Sequence, residues 1–405
     1  NCLLSDNQSA FRENHSCESA FNLLLNDWKE EIEQGKKITA VFLDLQRAFE
    51  TVCRNILIEK LRKYGIVGKA LEWIKSWLDN RYQYTVVNGM KSDLKNIDIG
   101  VPQGTPLSCV LFLLYINDIV KALNKCCINL FADDAVIWVA GTSMDENINA
   151  INHDLSELSK YFKMNRLKLN VMKTKCMKIG RTENNQQQII IDGNEIESVE
   201  TIKYLGVVVD NKLKFKENAD YLTKKIGKKV GWLRRNRNKM DKDTKIIVYK
   251  SLIQSQLDYC SSVLFLMNME DMSTIQKCQN QALRAILDAP FDAHIDDMLN
   301  DTKLMSVKQR IHCNVLIFLY KATNGRLPTY ICEKLVKVND VQPYRLRSNN
   351  LFRVPNYLRS STQNSIYYKG MKLFNDFLSV CTMTNDMNKD KETIEKYVME
   401  KVNRR

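Results

Sequence analysis

The sequence predicts an α+β protein, in which strands and helices alternate over roughly the first two hundred residues and helices dominate beyond them. Three observations lead there. Residues 38–45 (ITAVFLDL) form a short, β-branched apolar run that reads as a strand buried on both faces. Ile148, Ile151, Leu155, Leu158 and Phe162 follow spacings of 3, 4, 3 and 4, a helical stripe. Near Asp210 the composition turns basic, and helical faces follow.

Taken in order, residues 20–32 read as an amphipathic helix through Leu24, Trp28 and Ile32, ended by Gly35. After the buried strand come two helical stretches, 56–64 and 69–78, separated by Gly65 and Gly68. Residues 82–87 have strand composition and run into Asn88-Gly89, a strong hairpin signal. Pro106 opens an apolar helix that is expected to run through Leu123. Residues 129–139 (NLFADDAVIWV) carry apolar flanks around a polar pair, which suggests two strands and a tight turn. The striped helix follows, and short strands resume between Cys176 and Val209, broken by turns at 184–186 and at Asp192-Gly193. Leu222, Ile226, Val230 and Leu233 make one face of a helix, with Lys224, Lys225, Lys228 and Arg235 mostly opposite. A second helix carries Ile246, Tyr249, Ile253 and Leu257. From Pro290 the patterning weakens, and the polar tail beyond Thr382 reads as a loosely held end. No repeat of 20–50 residues is visible.

A chain of 405 residues suits two or three domains. Hydrophobic residues at 44% and charged residues at 26% rule out wholesale disorder and fibrous repeats. Lys+Arg 60 against Asp+Glu 47 gives a net charge of +13, which favours nucleic acid or an anionic surface as partner. Most of that imbalance lies between Lys212 and Lys250, where 14 basic and four acidic residues leave +10 over 39 residues. The longest apolar run, 110–116, has seven residues, against the roughly 20 needed to cross a bilayer. The chain starts at Asn1 with no leader pattern, so it reads as a piece of a longer, unsecreted protein, and the Asn-x-Ser matches at Asn7 and Asn14 as chance. Twelve cysteines without a Cys-x-x-Cys pair, beside only His15, His153, His294 and His312, read as reduced intracellular thiols.

Two acidic sites stand out by their surroundings. Asp44 ends the buried strand, and Asp133-Asp134 occupies the turn of the apolar hairpin. Carboxylates beside such strands are costly unless neutralised, and three of them converging would suit hard, oxygen-seeking Mg²⁺. Two such ions about 3.5–4 Å apart serve phosphoryl transfer. The bland alternative stays open at this point: an Asp-Asp turn is ordinarily solvated or caps local N–H groups, and Asp44 could equally face water. Gly-Val-Pro-Gln-Gly at 100–104, just before a helix, tilts the balance, because its glycines let backbone approach a ligand closely.

These segments resemble the ordered motifs of non-LTR (LINE-type) retrotransposon reverse transcriptases, jockey-like elements above all. QSAFRENHS (8–16) is similar to the family's Q-x-G-F-R-x-x-H-S block, and AVFLDLQRAFETV (40–52) to its first catalytic motif. GVPQGTPLS (100–108) resembles the template- and nucleotide-contacting motif, FADD (131–134) the second catalytic motif. NRLKLNVMKTKCM (165–177) is similar to N-x-L-x-L-N-x-x-K-T, and YLGVVVD (204–210) to the primer grip. NGRLPTYI (324–331) resembles the stretch that follows the thumb in jockey-type elements.

The resemblance implies a right-hand polymerase: partial fingers and a palm with a small antiparallel sheet flanked by helices (1–209), a basic helical thumb (210–289), and a mostly helical C-terminal region (290–405). It implies Asp44, Asp133 and Asp134 as catalytic ligands of two Mg²⁺ ions, with Mn²⁺ a possible substitute. Phe49 would lie beneath the incoming sugar and exclude a 2′-hydroxyl, with core packing as its rival role. Gln103 and Gly104 would contact the template–nucleotide pair, and Lys173 the triphosphate unless it is a solvated surface lysine. Tyr204, Leu205 and Gly206 would brace the primer end, although Tyr204 and Leu205 could be strand core. Lys224, Lys225, Lys228 and Arg235 would grip a duplex backbone unless that face is merely solvated. The partners implied are an RNA template, a DNA primer or target and dNTP, with no membrane, in the nucleus and cytoplasm. Glu50 stands where the family usually has Asp, Ala10 where it has Gly, and Thr105–Cys109 departs from Ser-x-Leu-Gly-Pro. The upstream fingers strands and endonuclease would precede Asn1. The competing reading is a relic fragment that binds nucleic acid without polymerising. A viral RNA-dependent RNA polymerase is more distant, since Phe49 leaves no room for a 2′-hydroxyl.

Overall fold

Helix α1 (Cys17–Glu33) and strand β1 (Lys37–Leu43) are neighbours in sequence but belong to different packed units. The computed structural model describes residues 3–180, 187–340, 351–384 and 386–402. One unit comprises Asn1–Ser16 with Gly35–Glu200, the other Cys17–Gln34 with Thr201–Arg405. No helix among the described residues is long and apolar enough to cross a membrane, and the described cysteines are free thiols.

In the first unit β1 is followed by α2 (Arg54–Lys63) and α3 (Gly68–Leu78), with Gly65 between them and Gly68 opening α3, both at positive φ. Next come four two-residue strands, β2 (Tyr82–Gln83), β3 (Val86–Val87), β4 (Met90–Lys91) and β5 (Lys95–Asn96). The single strand expected over 82–87 is therefore split. These residues are exposed on both faces, and no core layer holds them flat. The hairpin at Asn88-Gly89 is present, both residues having positive φ as a two-residue turn of the I′ kind requires.

Helix α4 (Pro106–Ile116) starts at a Thr105 cap with Pro in its first turn. It stops seven residues earlier than expected, tightening to a 3₁₀ turn over Asn117–Ala122. There Asn117 accepts from the Ser5 N–H and Asp118 from Lys60 and Tyr161, so polar anchors set the path. Strands β6 (Cys127–Phe131) and β7 (Asp134–Gly141) make the expected hairpin, and α5 (Met144–Met164) carries the predicted stripe, all five of its residues buried. β8 (Lys175–Ile179), β9 (Ile190–Ile191), β10 (Asn194–Glu195) and β11 (Glu197–Ser198) complete the unit. The turn at Asp192-Gly193 joins β9 to β10, whereas the turn expected at 184–186 lies outside the described residues.

The main sheet has the order β11-β8-β1-β7-β6, antiparallel throughout except for the β11–β8 edge. β1 is its middle strand, which is why its residues are apolar on both faces: all but Lys37 are buried. One apolar core joins the sheet to α2–α5, with Phe112, Tyr115, Ile148 and Leu155 fully enclosed. Lys60 is buried within it and donates to the Tyr115 carbonyl and to Asp118 at 2.6 Å each, so its charge is compensated.

The second unit contains α1, the hairpin β12 (Thr201–Tyr204) with β13 (Val207–Asp210), and α6 (Lys216–Asn236). Asp210 is buried and accepts from the N–H groups of Lys212, Lys214 and Phe215, shaping the turn into α6. Phe21 of α1 meets Tyr204 and Phe215 edge-on or tilted. A helical path continues through α7 (Lys242–Tyr249), a π turn (Lys250–Gln254), α8 (Ser255–Asp258), α9 (Ser261–Leu264) and α10 (Met269–Leu287). Then follow α11 (Ile295–Thr302), α12 (Val307–Thr323), α13 (Thr329–Cys332), α14 (Ser360–Gln363), α15 (Met371–Val380) and α16 (Met387–Lys401).

The tail beyond Thr382 is not the loose end that its polarity suggested. Helix α16 packs on α12, with Ile394 and Val398 fully buried. Buried Asp390 accepts from Tyr320 and from the N–H and hydroxyl of Thr384. Tyr397 meets Phe377 edge-on and the Val402 carbonyl accepts from Gln309, so a few contacts dock a helix that is otherwise rich in charge.

Candidate active site

Strand β1 ends at Leu43, and Asp44 steps off it. The segment after α5 holds that step in place. The Asn170 N–H donates to the Asp44 carbonyl at 2.7 Å, and the Gln46 N–H to the Lys168 carbonyl at 2.8 Å. The Asp44 N–H in turn reaches the Thr174 hydroxyl at 3.3 Å, which donates to the Asn170 carbonyl at 2.9 Å.

The other two acids ride on the β6–β7 turn, where Ala132 takes a left-handed conformation. Gln8, 1% exposed, clamps that turn: its Oε1 accepts from the N–H groups of Ala132 and Ala10 at 3.0 and 2.9 Å. On either side, the Ser9 N–H donates to the Leu130 carbonyl and the Leu130 N–H to the Asn7 carbonyl. The sequence block 8–16 thus supplies a brace for the acidic turn, a role that its residues alone did not disclose.

Pairing brings the acids to one end of the sheet. Leu43 lies opposite Ala135, so Asp44, one residue on, comes level with Asp134, one residue back; Phe131 pairs Asp134 from the other side. Adjacent strands sit about 4.8 Å apart, which puts these carboxylates within mutual electrostatic reach. Burial, followed by the Asp133 and Asp44 charges, pushes the Asp134 carboxyl up to about 6. Asp133 is raised by burial and by Asp44, partly offset by a backbone hydrogen bond. Asp134 nonetheless keeps an exposed surface, and Asp44 and Asp133 are half-buried, so protein atoms crowd the group without sealing it from solvent.

The charges acting on Asp133 and Asp134 are acidic alone. Uncompensated carboxylates with oxygen donors fit a hard divalent cation, which would relieve their repulsion. Among the described residues no group of three or more His, Cys, Asp or Glu side chains is drawn into a ready-made metal cage. Mg²⁺ does not require one. It keeps several waters and takes one or two carboxylates plus substrate phosphates.

Around this acidic end two loops lock together. The Val101 N–H donates to the Phe49 carbonyl at 2.9 Å and the Gly100 N–H to the Val52 carbonyl at 2.8 Å. Phe49 stacks on Phe112 of α4, ring centroids 4.4 Å apart, so its orientation is fixed from below. Gln103 donates to Glu50 at 3.3 Å, so the longer acid in place of the family's Asp bridges the two loops. Thr105 caps α4 normally despite the altered sequence after it. Gly104 is exposed at a φ of 81°. Lys173 is exposed in the turn closed by its own N–H to the Asn170 carbonyl, three residues after the Asp44 tether.

Tyr204, Leu205, Gly206 and the basic residues belong to the second unit. Tyr204 and Leu205 are buried, and only Gly206 of the three is exposed at the β12–β13 turn. Tyr259, which sequence reasoning passed over, donates its hydroxyl to the Leu205 carbonyl at 2.8 Å and covers Gly206. No local signal could have found it, 53 residues downstream of Gly206. Lys224, Lys225, Lys228 and Arg235 are all exposed on α6.

Residues 2–209 match the family described as reverse transcriptase (RNA-dependent DNA polymerase). The chain is 25% identical over 314 residues to the RNA-directed DNA polymerase from mobile element jockey of Drosophila funebris, covering 75% of this chain and 34% of that protein. It is 25% identical over 327 residues to the probable RNA-directed DNA polymerase from transposon BS of Drosophila melanogaster, covering 76% and 35% respectively. The chain therefore spans about a third of the length of these relatives. An apo telomerase structure from Candida tropicalis is similar with a TM-score of 0.42 at 13% identity, over 95% of this chain and 57% of that one. The jockey-type likeness expected from the motifs is borne out, and with about half its length matched the chain belongs to the reverse transcriptase (RNA-dependent DNA polymerase) family.

Proposed function

We propose that this chain is the polymerising core of a non-LTR retrotransposon's RNA-directed DNA polymerase, which extends a DNA 3′ end along an RNA template. The observation that carries the reading is the antiparallel register that levels Asp44 with the Asp133-Asp134 turn. Residues 1–209 would serve as partial fingers and palm, 210–289 as thumb, and 290–405 as a C-terminal support. Nucleus and cytoplasm are the compartments this reading expects.

Asp44, Asp133 and Asp134 would hold two Mg²⁺ ions, or Mn²⁺ in their place. When bound, such ions activate the attacking 3′-hydroxyl and stabilise the departing pyrophosphate oxygen. The chain's own residues do the positioning. Phe49, immobilised on Phe112, presents a flat edge under the deoxyribose and leaves a 2′-hydroxyl no room. Gln103 and Gly104 offer an amide and open backbone to the template–nucleotide pair. Lys173 supplies a mobile positive charge for the triphosphate. Tyr204–Gly206 presents turn backbone to the primer, and Lys224, Lys225, Lys228 and Arg235 meet backbone phosphates without reading sequence.

The test is primer extension by the 405-residue chain on poly(rA)·oligo(dT) with Mg²⁺. Asp133→Asn is expected to lower dTTP incorporation on the order of a hundredfold or more, the loss of several kcal/mol of transition-state stabilisation. Incorporation at the wild-type rate by that variant would sink the assignment. The uncompensated acidic end favours this reading over a relic that binds without polymerising.

A further inference from the structure

Within the second unit, α6, α10, the loop after α10 and the first turns of α11 and α12 border two adjoining open clefts of about 490 and 550 Å³. Their linings differ in kind. The smaller holds Arg234, Arg237 and Arg284 against Gly227 and Gly231, and no acidic residue lines it. The larger is walled by Met269, Met272 and Ile295, with Gln276 and Asn280 among them, and it carries Asp292 and Asp296 as well as Lys277 and Lys308. Arg284 and Phe291 line both.

Phe291 is 88% exposed, so one face of its ring is open to a ligand. The Arg284 guanidinium lies 5.0 Å from its centroid, and the Arg284 Nε is buried without a hydrogen-bond partner among the described residues. Arg237 already meets Asp288 at 3.4 Å, whereas Arg234 has no ion pair among the described residues. A cation-lined chamber beside an amide-and-methionine chamber, with an open ring between them, matches the two ends of one nucleotide. Phosphate belongs on the arginine side, and a base belongs on the ring.

We infer that this junction binds an unpaired nucleotide of single-stranded RNA, its base stacked on Phe291 and its phosphate on Arg234 and Arg284. A duplex cannot serve, because paired bases keep both faces stacked on their neighbours. The choice of RNA over DNA rests on the proposed function, in which the uncopied template is RNA and the DNA is paired as primer. Lys224, Lys225, Lys228 and Arg235 are not among its lining residues, and they need only a backbone.

The experiment is fluorescence anisotropy of the full chain with a labelled, unstructured 12-nucleotide RNA, its DNA counterpart, and an RNA duplex. Phe291→Ala is expected to weaken single-stranded RNA binding about fivefold or more, Phe291→Trp to preserve it, and duplex binding to change less than twofold. Arg234→Gln should lower the slope of log affinity against log salt by about 0.7. Because Phe291 is exposed, these variants leave the core intact. Unchanged RNA affinity in Phe291→Ala, or an equal loss for the duplex, overturns the site. Tighter binding of the DNA strand overturns the choice of RNA. Asp133→Asn separates this reading from the polymerase reading: it should lower incorporation about a hundredfold or more and leave the anisotropy curves alone.

Discussion

Replacing Gly100 by Ala tests how the loop after β1 and the loop before α4 are held together. Gly100 has a φ of +79°, where an L side chain costs roughly 1–2 kcal/mol. Its new Cβ would stand 2.6 Å from the Glu50 carbonyl oxygen and 2.9 Å from that carbonyl carbon. Both are backbone atoms, so the loops must separate. Separation breaks the Gly100→Val52 and Val101→Phe49 hydrogen bonds, each worth about 0.5–1.5 kcal/mol net, for a total cost of about 2–5 kcal/mol. Gly104 is the internal control. Its φ is +81° but nothing lies within 4 Å of a Cβ there, so Gly104→Ala should cost only the roughly 1–2 kcal/mol of conformation. Hydrogen exchange reads the difference locally: the Gly100 and Val101 amides should lose about ten- to a hundredfold protection in Gly100→Ala and keep it in Gly104→Ala. Equal loss in both variants would refute the claim that close approach, beyond φ alone, fixes Gly100.

Three further outcomes follow from the same coordinates. Phe49→Ala removes the ring stacked on Phe112 and should raise rGTP relative to dGTP incorporation by about tenfold or more on a poly(rC) template; an unchanged ratio would return Phe49 to plain core packing. Asp134 is raised from 3.8 to about 6 in the folded chain, so the folded state binds more protons through that window, and stability should fall as pH rises from about 4 to 6. Thermal midpoints should lose that slope in Asp134→Asn and with added Mg²⁺, and parallel curves would contradict it. Ile394→Ala should cost about 2–5 kcal/mol in urea unfolding of the C-terminal helices, while a cost below about 0.5 kcal/mol would mean that α16 is not docked.

What the sequence disclosed depended on where each residue packs. β1 was legible because a central strand must be apolar on both faces, and α5 because one buried face leaves a clean stripe. Helix α12 was not legible: Val315, Leu316, Leu319, Tyr320 and Cys313 are buried on several sides, which erases the stripe. Helix α16 failed for the opposite reason, since Ile394 and Val398 are few among charges, although their spacing of four was available. In the candidate site, Asp44 and Asp133-Asp134 were conspicuous as acids in apolar runs, but their convergence depends on a register 89 residues long-range that no local pattern encodes. Gln8 and Thr174 fall in recognisable motifs, yet their roles, like that of Tyr259, lie in backbone contacts with residues distant in the chain.

The central claim is that Asp44, Asp133 and Asp134 together seat divalent cations, and Mn²⁺ binding measured by electron paramagnetic resonance tests it without requiring turnover. With a non-hydrolysable dNTP and primer–template present, the wild-type chain should bind Mn²⁺, and Asp44→Asn and Asp133→Asn should each weaken that binding about tenfold or more. Wild-type Mn²⁺ affinity in both variants would contradict the account.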